Sequence, residues 1–237
     1  MAEPLLQITN ADVYYGASQI LFGLDLEVHK GQTMALLGRN GAGKSTTFKM
    51  IAGIAPPRRG TVTLAGRAVS GQAPFRIARA GIGYVPEDRQ VFPEHTVDDN
   101  LIVGAKRGAG GEDYWTRERI YEVFPILASM KTRLAGRLSG GEQQMLTIAR
   151  TLMGNPELIL LDEPSEGLAP IIVQAIGELI RRLRDMGVTI LLAEQNMHFC
   201  LGIATHAAVI DKGHIVYRAT IEALRDNDDI KKRYLAV

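Results

Sequence analysis

The chain has 237 residues, 27 Lys+Arg against 26 Asp+Glu, 46% apolar residues and a single cysteine, the composition of an ordinary globular protein able to bury a core. Its length fits one large domain, or one domain with an inserted lobe, better than tandem domains. A formal net charge of +1 leaves no overall field to attract nucleic acid or anionic lipid, so any phosphate chemistry must come from a local site. No stretch approaches the roughly 20 apolar residues of a spanning helix. The start MAEPLLQITN has neither the basic nor the apolar region of a secretion signal. One cysteine cannot make an internal disulfide, and a reducing cytoplasm is the expected compartment. Cys200, within Phe199-Cys200-Leu201, reads as a small core hydrophobe.

Residues 5–37 read as strands: Leu6, Ile8 and Val13, then Ile20, Phe22, Leu24, Leu26 and Val28 at period two, a turn at Lys30-Gly31, and the apolar run 34–37. Glycines cluster over 38–43, and 44–52 reads as a helix stopped by Gly53 with Pro56-Pro57 beyond. A short strand pair around 61–64, a helix over 74–80 and a strand over 82–85 follow. From 96 to 128 the pattern is helical: Thr96 with Asp98 and Asp99 makes a capped start, 108–111 a break, and 114–127 an amphipathic helix. Helix 141–153, strand 158–161, helix 170–185, strand 188–192 and helix 196–203 then alternate, which argues for a parallel sheet covered on both faces. A hairpin turning at Lys212-Gly213 and a charged helical tail close the chain.

The segment Gly38-Arg39-Asn40-Gly41-Ala42-Gly43-Lys44-Ser45 matches G-x-x-x-x-G-K-[ST] between a predicted strand and a predicted helix, the context that motif needs. Glycines let backbone N–H groups close around phosphate oxygens at a helix N-terminus. Lys44 is placed to reach the β/γ-phosphates, Ser45 to ligate Mg²⁺, and Thr46 to add a hydroxyl near the α-phosphate. Downstream, Leu158-Ile159-Leu160-Leu161 ends in Asp162 and Glu163. Carboxylates at a strand's C-terminal edge face the crevice where α/β sheets bind ligands. Asp162 can hold Mg²⁺ through water, and Glu163 can take a proton from an attacking water. Either carboxylate alone would read as a solvated strand end; beside a phosphate loop the pair reads as chemistry. Leu138-Ser139-Gly140-Gly141-Glu142-Gln143 opens a helix, and on physics alone it is equally a second anion-seeking terminus or a Ser N-cap with glycines at a loop–helix joint.

The phosphate loop, LSGGEQ and LILLDEP, in this order and spacing, resemble the ATP-binding subunit of an ABC transporter over essentially the whole chain. The resemblance implies an α/β fold: a P-loop NTPase cassette with a mixed core sheet, an N-terminal antiparallel β part and an inserted helical lobe. Its catalytic core would span 1–87 and 139–237, and the lobe 88–138. It implies ATP and Mg²⁺ as ligands and a head-to-tail dimer. There Ser139, Gly140, Gly141 and Gln143 of one protomer would complete the ATP site of the other. Tyr15, before Gly16, matches the aromatic that stacks on adenine, while Tyr14 reads as sheet packing. Glu87 stands where the family usually has a Gln that touches Mg²⁺, and Gln195 where most members have a switch His. Gln can hydrogen-bond a γ-phosphate but carries no titratable proton. His198 reads as a packed or surface residue. The loop 164–168 falls at the dimer contact, where the family more often ends in Asp.

Glu87 in VPEDRQVF, Glu166 in DEPSEGLAP and Gln195 in AEQN together resemble the ATPase of branched-chain, or hydrophobic, amino acid importers. That implies a second ATP-binding subunit, identical or paralogous, two transmembrane permease subunits, an indirect periplasmic solute-binding protein, and a peripheral place on the cytoplasmic face of the membrane. Importers of urea or short amides have similar ATPases and form the alternative. Val91 and Phe92 suggest a surface for the membrane subunits; the competing reading folds both into the lobe. A GTPase or kinase leaves LSGGEQ unexplained and lacks N-K-x-D. A DNA-repair ABC ATPase needs coiled-coil arms or a basic groove, so no nucleic acid partner is expected. Arg181-Arg182 and Lys231-Lys232-Arg233 read as solvated helix faces.

Overall fold

The computed structural model describes residues 3–235. Among them, β1 (Leu6–Tyr15) and β2 (Ser18–Val28) form an antiparallel pair closed by a turn at Gly16. The expected phase of β2 is corrected at its start: Leu21, Leu24, Leu26 and Val28 are buried, while Ile20 is half-buried and Phe22 exposed. Gly23, at φ +54°, is the reason. Its N–H donates to Asp12 Oδ1 at 2.7 Å, and the extra residue shifts the two-residue alternation by one. Phe22 instead stacks on His214 with ring centroids 5.1 Å apart.

β3 (Thr33–Leu37) leads through the glycine loop into α1 (Lys44–Ile51). β4 (Arg59–Leu64) and β5 (Arg67–Ala68) complete a four-stranded antiparallel sheet in the order β2-β1-β4-β5. α2 (Pro74–Ala80) and β6 (Ile82–Val85) follow. The segment between β6 and the next long helix carries α3 (Val97–Gly104), α4 (Arg117–Val123), α5 (Pro125–Ala128) and a turn of 3₁₀ helix. Thr96 and Asp99 cap α3 reciprocally, as the sequence predicts. The expected single helix over 114–127 is two. Thr116 caps its start, and Pro125, which has no N–H, breaks it at Phe124. Trp115, ahead of the helix, is buried, and its backbone N–H donates to Asn155 Oδ1 at 2.7 Å. Arg182 is not simply solvated: its guanidinium donates to the Val123 and Glu122 carbonyls at the end of α4.

The remainder alternates: α6 (Gly140–Leu152), β7 (Leu158–Asp162), α7 (Pro170–Asp185), β8 (Thr189–Glu194), α8 (Met197–Leu201), β9 (His206–Asp211), β10 (His214–Thr220) and α9 (Ile221–Arg225). A six-stranded sheet runs β10-β9-β3-β8-β7-β6, parallel except for the antiparallel β9–β10 hairpin. Its central strands β3, β7 and β8 are buried on both faces and are correspondingly continuous apolar runs, whereas the edge strand β10 alternates exposed and half-buried residues. Leu36, Leu160 and Leu191 face the core shared with α1 and the antiparallel sheet. Leu37, Leu161 and Leu192 face the core built on α6, α7 and the helical segment. Cys200 is wholly buried, as expected. No helix among the described residues is long and apolar enough to cross a membrane.

Leu160 is fully buried in the centre of β7. Leu160→Ala is expected to cost about 2 to 5 kcal/mol, read as a lower urea midpoint at unchanged slope.

Candidate nucleotide-binding site

Three strands deliver the site to one edge of the sheet. β3, β7 and β8 are adjacent and parallel, with Leu37 opposite Glu194 and Asp162 opposite Ala193. Their C-terminal ends therefore open together, and the glycine loop, Asp162-Glu163 and Glu194-Gln195 meet there. Gly38 has no room for a side chain, because a Cβ would strike the Ile210 carbonyl of β9. Gly43, at φ +112°, caps α1 without a side chain. The first-turn amides of α1 therefore have no side-chain acceptor, which suits an anion.

Lys44 is 3% exposed. Its ammonium donates to the carbonyls of Gly38 at 2.8 Å and Arg39 at 3.2 Å, and pairs with Glu163 Oε1 at 3.0 Å. Ser45 Oγ donates to Asp162 Oδ1 at 3.1 Å, and the Tyr84 hydroxyl to Asp162 Oδ2, also at 3.1 Å. Burial raises the Asp162 carboxyl above its ordinary range despite these two hydrogen bonds. Burial, then the Asp162 charge, pushes the Tyr84 phenol well up. For Glu163 burial also raises, but the hydrogen bond with Glu166 and the Lys44 ammonium outweigh it and bring the carboxyl below its usual value. Glu166 takes the other side of that contact. Its hydrogen bond with Glu163, burial, and the charges of Glu163, Glu87 and Glu194 push it up to about 7.

Glu163 sits at φ +46°, a left-handed conformation rare for a residue with a Cβ. Its N–H donates to the Ala193 carbonyl at 2.9 Å, so the turn after β7 is tied to β8. Lys44, Ser45, Thr46, Glu87, Glu163 and Glu166 border one cavity of about 410 Å³. Ser45, Tyr84, Glu87 and Asp162 border its neighbour, about 470 Å³. Among the described residues no group of three or more His, Cys, Asp or Glu is placed to hold a metal. The oxygens at hand are Ser45, Asp162 and the exposed Glu87. Such a sparse set fits Mg²⁺, which keeps waters and takes phosphate oxygens.

The other predicted residues lie around this centre in different ways. Arg39, Asn40 and Gly41 are exposed along the loop, and Ala42 is buried. Gln195 is exposed just past β8, and Tyr15 is 48% exposed at the end of β1. Tyr14 packs under the Arg58 guanidinium, 4.3 Å from the ring centroid. Ser139, Gly140 and Gly141 do not border the Lys44 cavity of their own chain. Ser139 caps α6 in a reciprocal box with Glu142. Gly141 is demanded by packing, since a Cβ would collide with Ile172 of α7. Gln143 turns inward and donates to the Ala135 carbonyl at 3.2 Å. His198 is exposed on α8. Val91 packs on the core, as the competing reading has it, while Phe92 stays 43% exposed.

Three further residues, none of them a predicted site residue, complete the contacts here. Tyr84 reaches Asp162 across adjacent strands. Glu194, buried, accepts from the Ser165 and Asn196 amides at 3.2 and 3.4 Å and ties the two loops together. Arg89 donates to the Glu166 carbonyl at 3.0 Å and lies against Gly140. Apolar alternation placed Tyr84 on a strand, and Glu194 and Arg89 lie within the AEQN and VPEDRQVF segments, but nothing local pointed to their contacts.

The sequence profile of the ABC transporter family matches residues 21–166. The chain belongs to that family. It is similar to the high-affinity branched-chain amino acid transport ATP-binding protein BraG of Pseudomonas aeruginosa, 42% identical over 98% of this chain and 99% of the relative. It is also similar to the lipopolysaccharide export system ATP-binding protein LptB of Escherichia coli, 34% identical over 93% of this chain and 92% of the relative. A crystal structure of a nucleotide-free ATP-binding cassette from an ABC transporter superposes with a TM-score of 0.83 at 26% identity, covering 99% of both chains. The cassette is thus the ATPase subunit of a transporter, coupling ATP hydrolysis to transport.

The Glu163–Glu166 contact makes the cassette's stability depend on pH. Glu166 moves from an ordinary 4.5 to about 7, so between those values the unfolded chain gives up this proton first and stability falls as pH rises; above pH 7 the contribution is flat. Glu163, shifted down, acts oppositely, its contribution being lost as pH falls through the folded value. Glu166→Gln should make the decline between these two values shallower, measured as urea midpoints across pH.

Proposed function

We propose that the cassette energises an importer of branched-chain or hydrophobic amino acids, with ATP held between two such subunits. The observation that carries the two-subunit reading is the separation of its parts. Lys44 and Glu163 share one cavity, while the amides at the start of α6 stand away from it. A second ATP-binding subunit, identical or paralogous, supplies the missing half. In that arrangement Ser139, Gly140, Gly141 and Gln143 address the γ-phosphate of the other protomer, and residues 38–46 cradle the phosphates of their own. Tyr15 stacks on adenine. The division into a core of 1–87 and 139–237 and a lobe of 88–138 belongs to the same proposal.

The pairing of Lys44 with Glu163 suggests the order of events. Phosphate oxygens replace the carboxylate at the Lys44 ammonium, which releases Glu163. Glu163 then accepts a proton from a water whose oxygen bonds to the γ-phosphorus. The bond from that phosphorus to the bridging oxygen breaks, leaving ADP and inorganic phosphate. Gln195 steadies the γ-phosphate through its amide. Ser45 and Asp162, with Glu87 nearby, would hold Mg²⁺, which would supply positive charge against the β- and γ-phosphates.

Amino acid import is supported by BraG, the more similar of the two relatives, and by Glu87, Glu166 and Gln195, which depart from the general family pattern together. A urea or short-amide importer is the alternative, and labelled leucine uptake by cells lacking the cassette decides between them. Two transmembrane permease subunits are the remaining partners, with a periplasmic binding protein acting through them, and the cassette sits at the cytoplasmic face. Exposed Phe92, Ile102 and Val103 mark the surface they would cover.

Glu163→Gln should retain ATP binding, lower hydrolysis by about 10²- to 10⁴-fold, and double its light-scattering mass in MgATP. A mass that stays monomeric with ATP bound would assign the second half-site to a different subunit. Phe92→Ala should leave ATP binding unchanged and reduce co-purification with the membrane subunits; unchanged co-purification would remove this surface from the assembly.

A further inference from the structure

Asp162 is 2% exposed, and each of its two carboxylate oxygens has its own hydroxyl donor. Ser45 Oγ donates to Oδ1 and the Tyr84 hydroxyl to Oδ2, both at 3.1 Å. The last torsion of an aspartate is soft, so a carboxylate gripped at one oxygen can still swing about its Cβ–Cγ bond, whereas one gripped at both has a single plane. The two donors stand in different places. Ser45 lies in the first turn of α1, beside the phosphate loop, and is itself one of the oxygens available to a cation. Tyr84 lies on β6, on the opposite side of β7 from β8.

Strand register sets the reach. β6 and β7 are parallel neighbours with Tyr84 opposite Leu160. Paired residues of a parallel ladder point to one face, as do residues two apart on a strand, so Tyr84, Leu160 and Asp162 share a face. Asp162 lies two residues, roughly 6.6 Å, beyond Leu160 along the strand. A serine on β6 could not span that offset; a tyrosine lays its ring along it and arrives with one donor at the tip. The ring is fixed on the way, because Tyr84 is half-buried and packs against the core that holds Leu36, Leu160 and Leu191. Ser45, Tyr84, Glu87 and Asp162 border one cavity, so the contact stands at the wall of the space beside Ser45.

We propose that Tyr84 is a positioning residue for the metal-bound nucleotide: by holding Oδ2 it keeps Oδ1 of Asp162 turned toward Ser45, the side on which Mg²⁺ is taken. The proposal rests on the reading above that Ser45 and Asp162 hold that ion. Removing a group that orients a metal's ligands typically costs about 10- to 100-fold in metal affinity. Mg²⁺ demands near-octahedral geometry and is more sensitive to the aim of its partners than Ca²⁺, whose coordination is flexible. Tyr84 thus acts on the metal-dependent part of nucleotide binding and favours Mg²⁺ over Ca²⁺. The phosphate-loop amides and Lys44 address the nucleotide itself and do not need it.

The test is equilibrium binding of the N-methylanthraniloyl derivative of ATP to the 237-residue chain in chelator, in saturating Mg²⁺ and in saturating Ca²⁺, for the parent, Tyr84→Phe and Asp162→Asn. Tyr84→Phe removes one oxygen and keeps the ring, and its affinity in chelator checks that the fold and the phosphate loop are intact. The expected result is unchanged affinity in chelator, a gain from Mg²⁺ about tenfold smaller than the parent's, and a lesser loss with Ca²⁺. In hydrolysis the half-saturating Mg²⁺ concentration should rise by a larger factor than kcat falls at saturating metal. Affinity lowered equally in all three conditions marks a general loosening of the strand and overturns the proposal. A Mg²⁺ gain in Tyr84→Phe equal to the parent's, where Asp162→Asn loses it, also overturns the proposal, since Asp162 then holds the ion without Tyr84. Full Mg²⁺ gain in both variants overturns the reading of Asp162 as a partner of the ion, and the role of Tyr84 with it.

Discussion

A lysine ammonium buried at the start of a helix has to be answered by something, and in this cassette the answer organises the sheet edge. Lys44 is held by two carbonyls of its own loop and by Glu163. Breaking such a pair on one side is far more costly than never burying it. The glycine loop must therefore close back over Lys44, β7 must end where Glu163 can turn toward it, and β3 must lie within one strand of β7. β8 sits between them, and the Glu163 amide bonds to the Ala193 carbonyl there. An anionic ligand can release the pair without leaving either charge unanswered, because phosphate oxygens take over the ammonium and solvent takes over the carboxylate.

The carboxylates around that pair are unusually dense. Asp162, Glu163, Glu166, Glu194 and Glu87 act on one another, yet Glu87 is exposed to solvent and the other four have separate compensations. Ser45 and Tyr84 serve Asp162, Lys44 serves Glu163, two backbone amides serve Glu194, and the Glu166 carboxyl is pushed up by its hydrogen bond with Glu163. The left-handed Glu163 is tolerated because the turn is tied on both sides, to Ala193 behind and through Glu194 to Ser165 ahead. Strain and like charge are thus concentrated where the fold gains binding power rather than spread through the core.

Arg89 connects this centre to the helical segment, since it touches both the Glu166 loop and Gly140. The Thr147 hydroxyl in turn donates to the Arg89 carbonyl at 3.2 Å. A shift of the loop after β6 therefore moves the turn that carries Glu166 and the start of α6 together. The same loop runs into the exposed Phe92, whose ring lies against the Arg150 guanidinium, so the phosphate end and the outer apolar face share one short stretch of chain.

Much of this was legible in the sequence where the determining interaction is local. Strand, glycine loop and helix are encoded within residues 34–52, because hydrophobic period and glycine placement act over a few residues. The Thr96–Asp99 cap lies within four residues. The two-faced burial of the parallel strands follows from their unbroken apolar runs. Local pattern misjudged β2, where one left-handed glycine reset the alternation, and the 114–127 helix, where a proline outweighed a correct amphipathic period. Tyr84 against Asp162, Arg89 against Glu166 and Gly141 against Ile172 were invisible, because their partners lie 78, 77 and about 30 residues away. The sequence by itself therefore determined which residues can bind phosphate and which strands are buried, since these are properties of short windows. Only the tertiary structure decided that Lys44 rests on Glu163, that the Glu166 carboxyl is pushed up beside Glu163 and that Gly141 is a packing residue. Each of these depends on strand order and on which side chains long-range packing brings within a few ångströms.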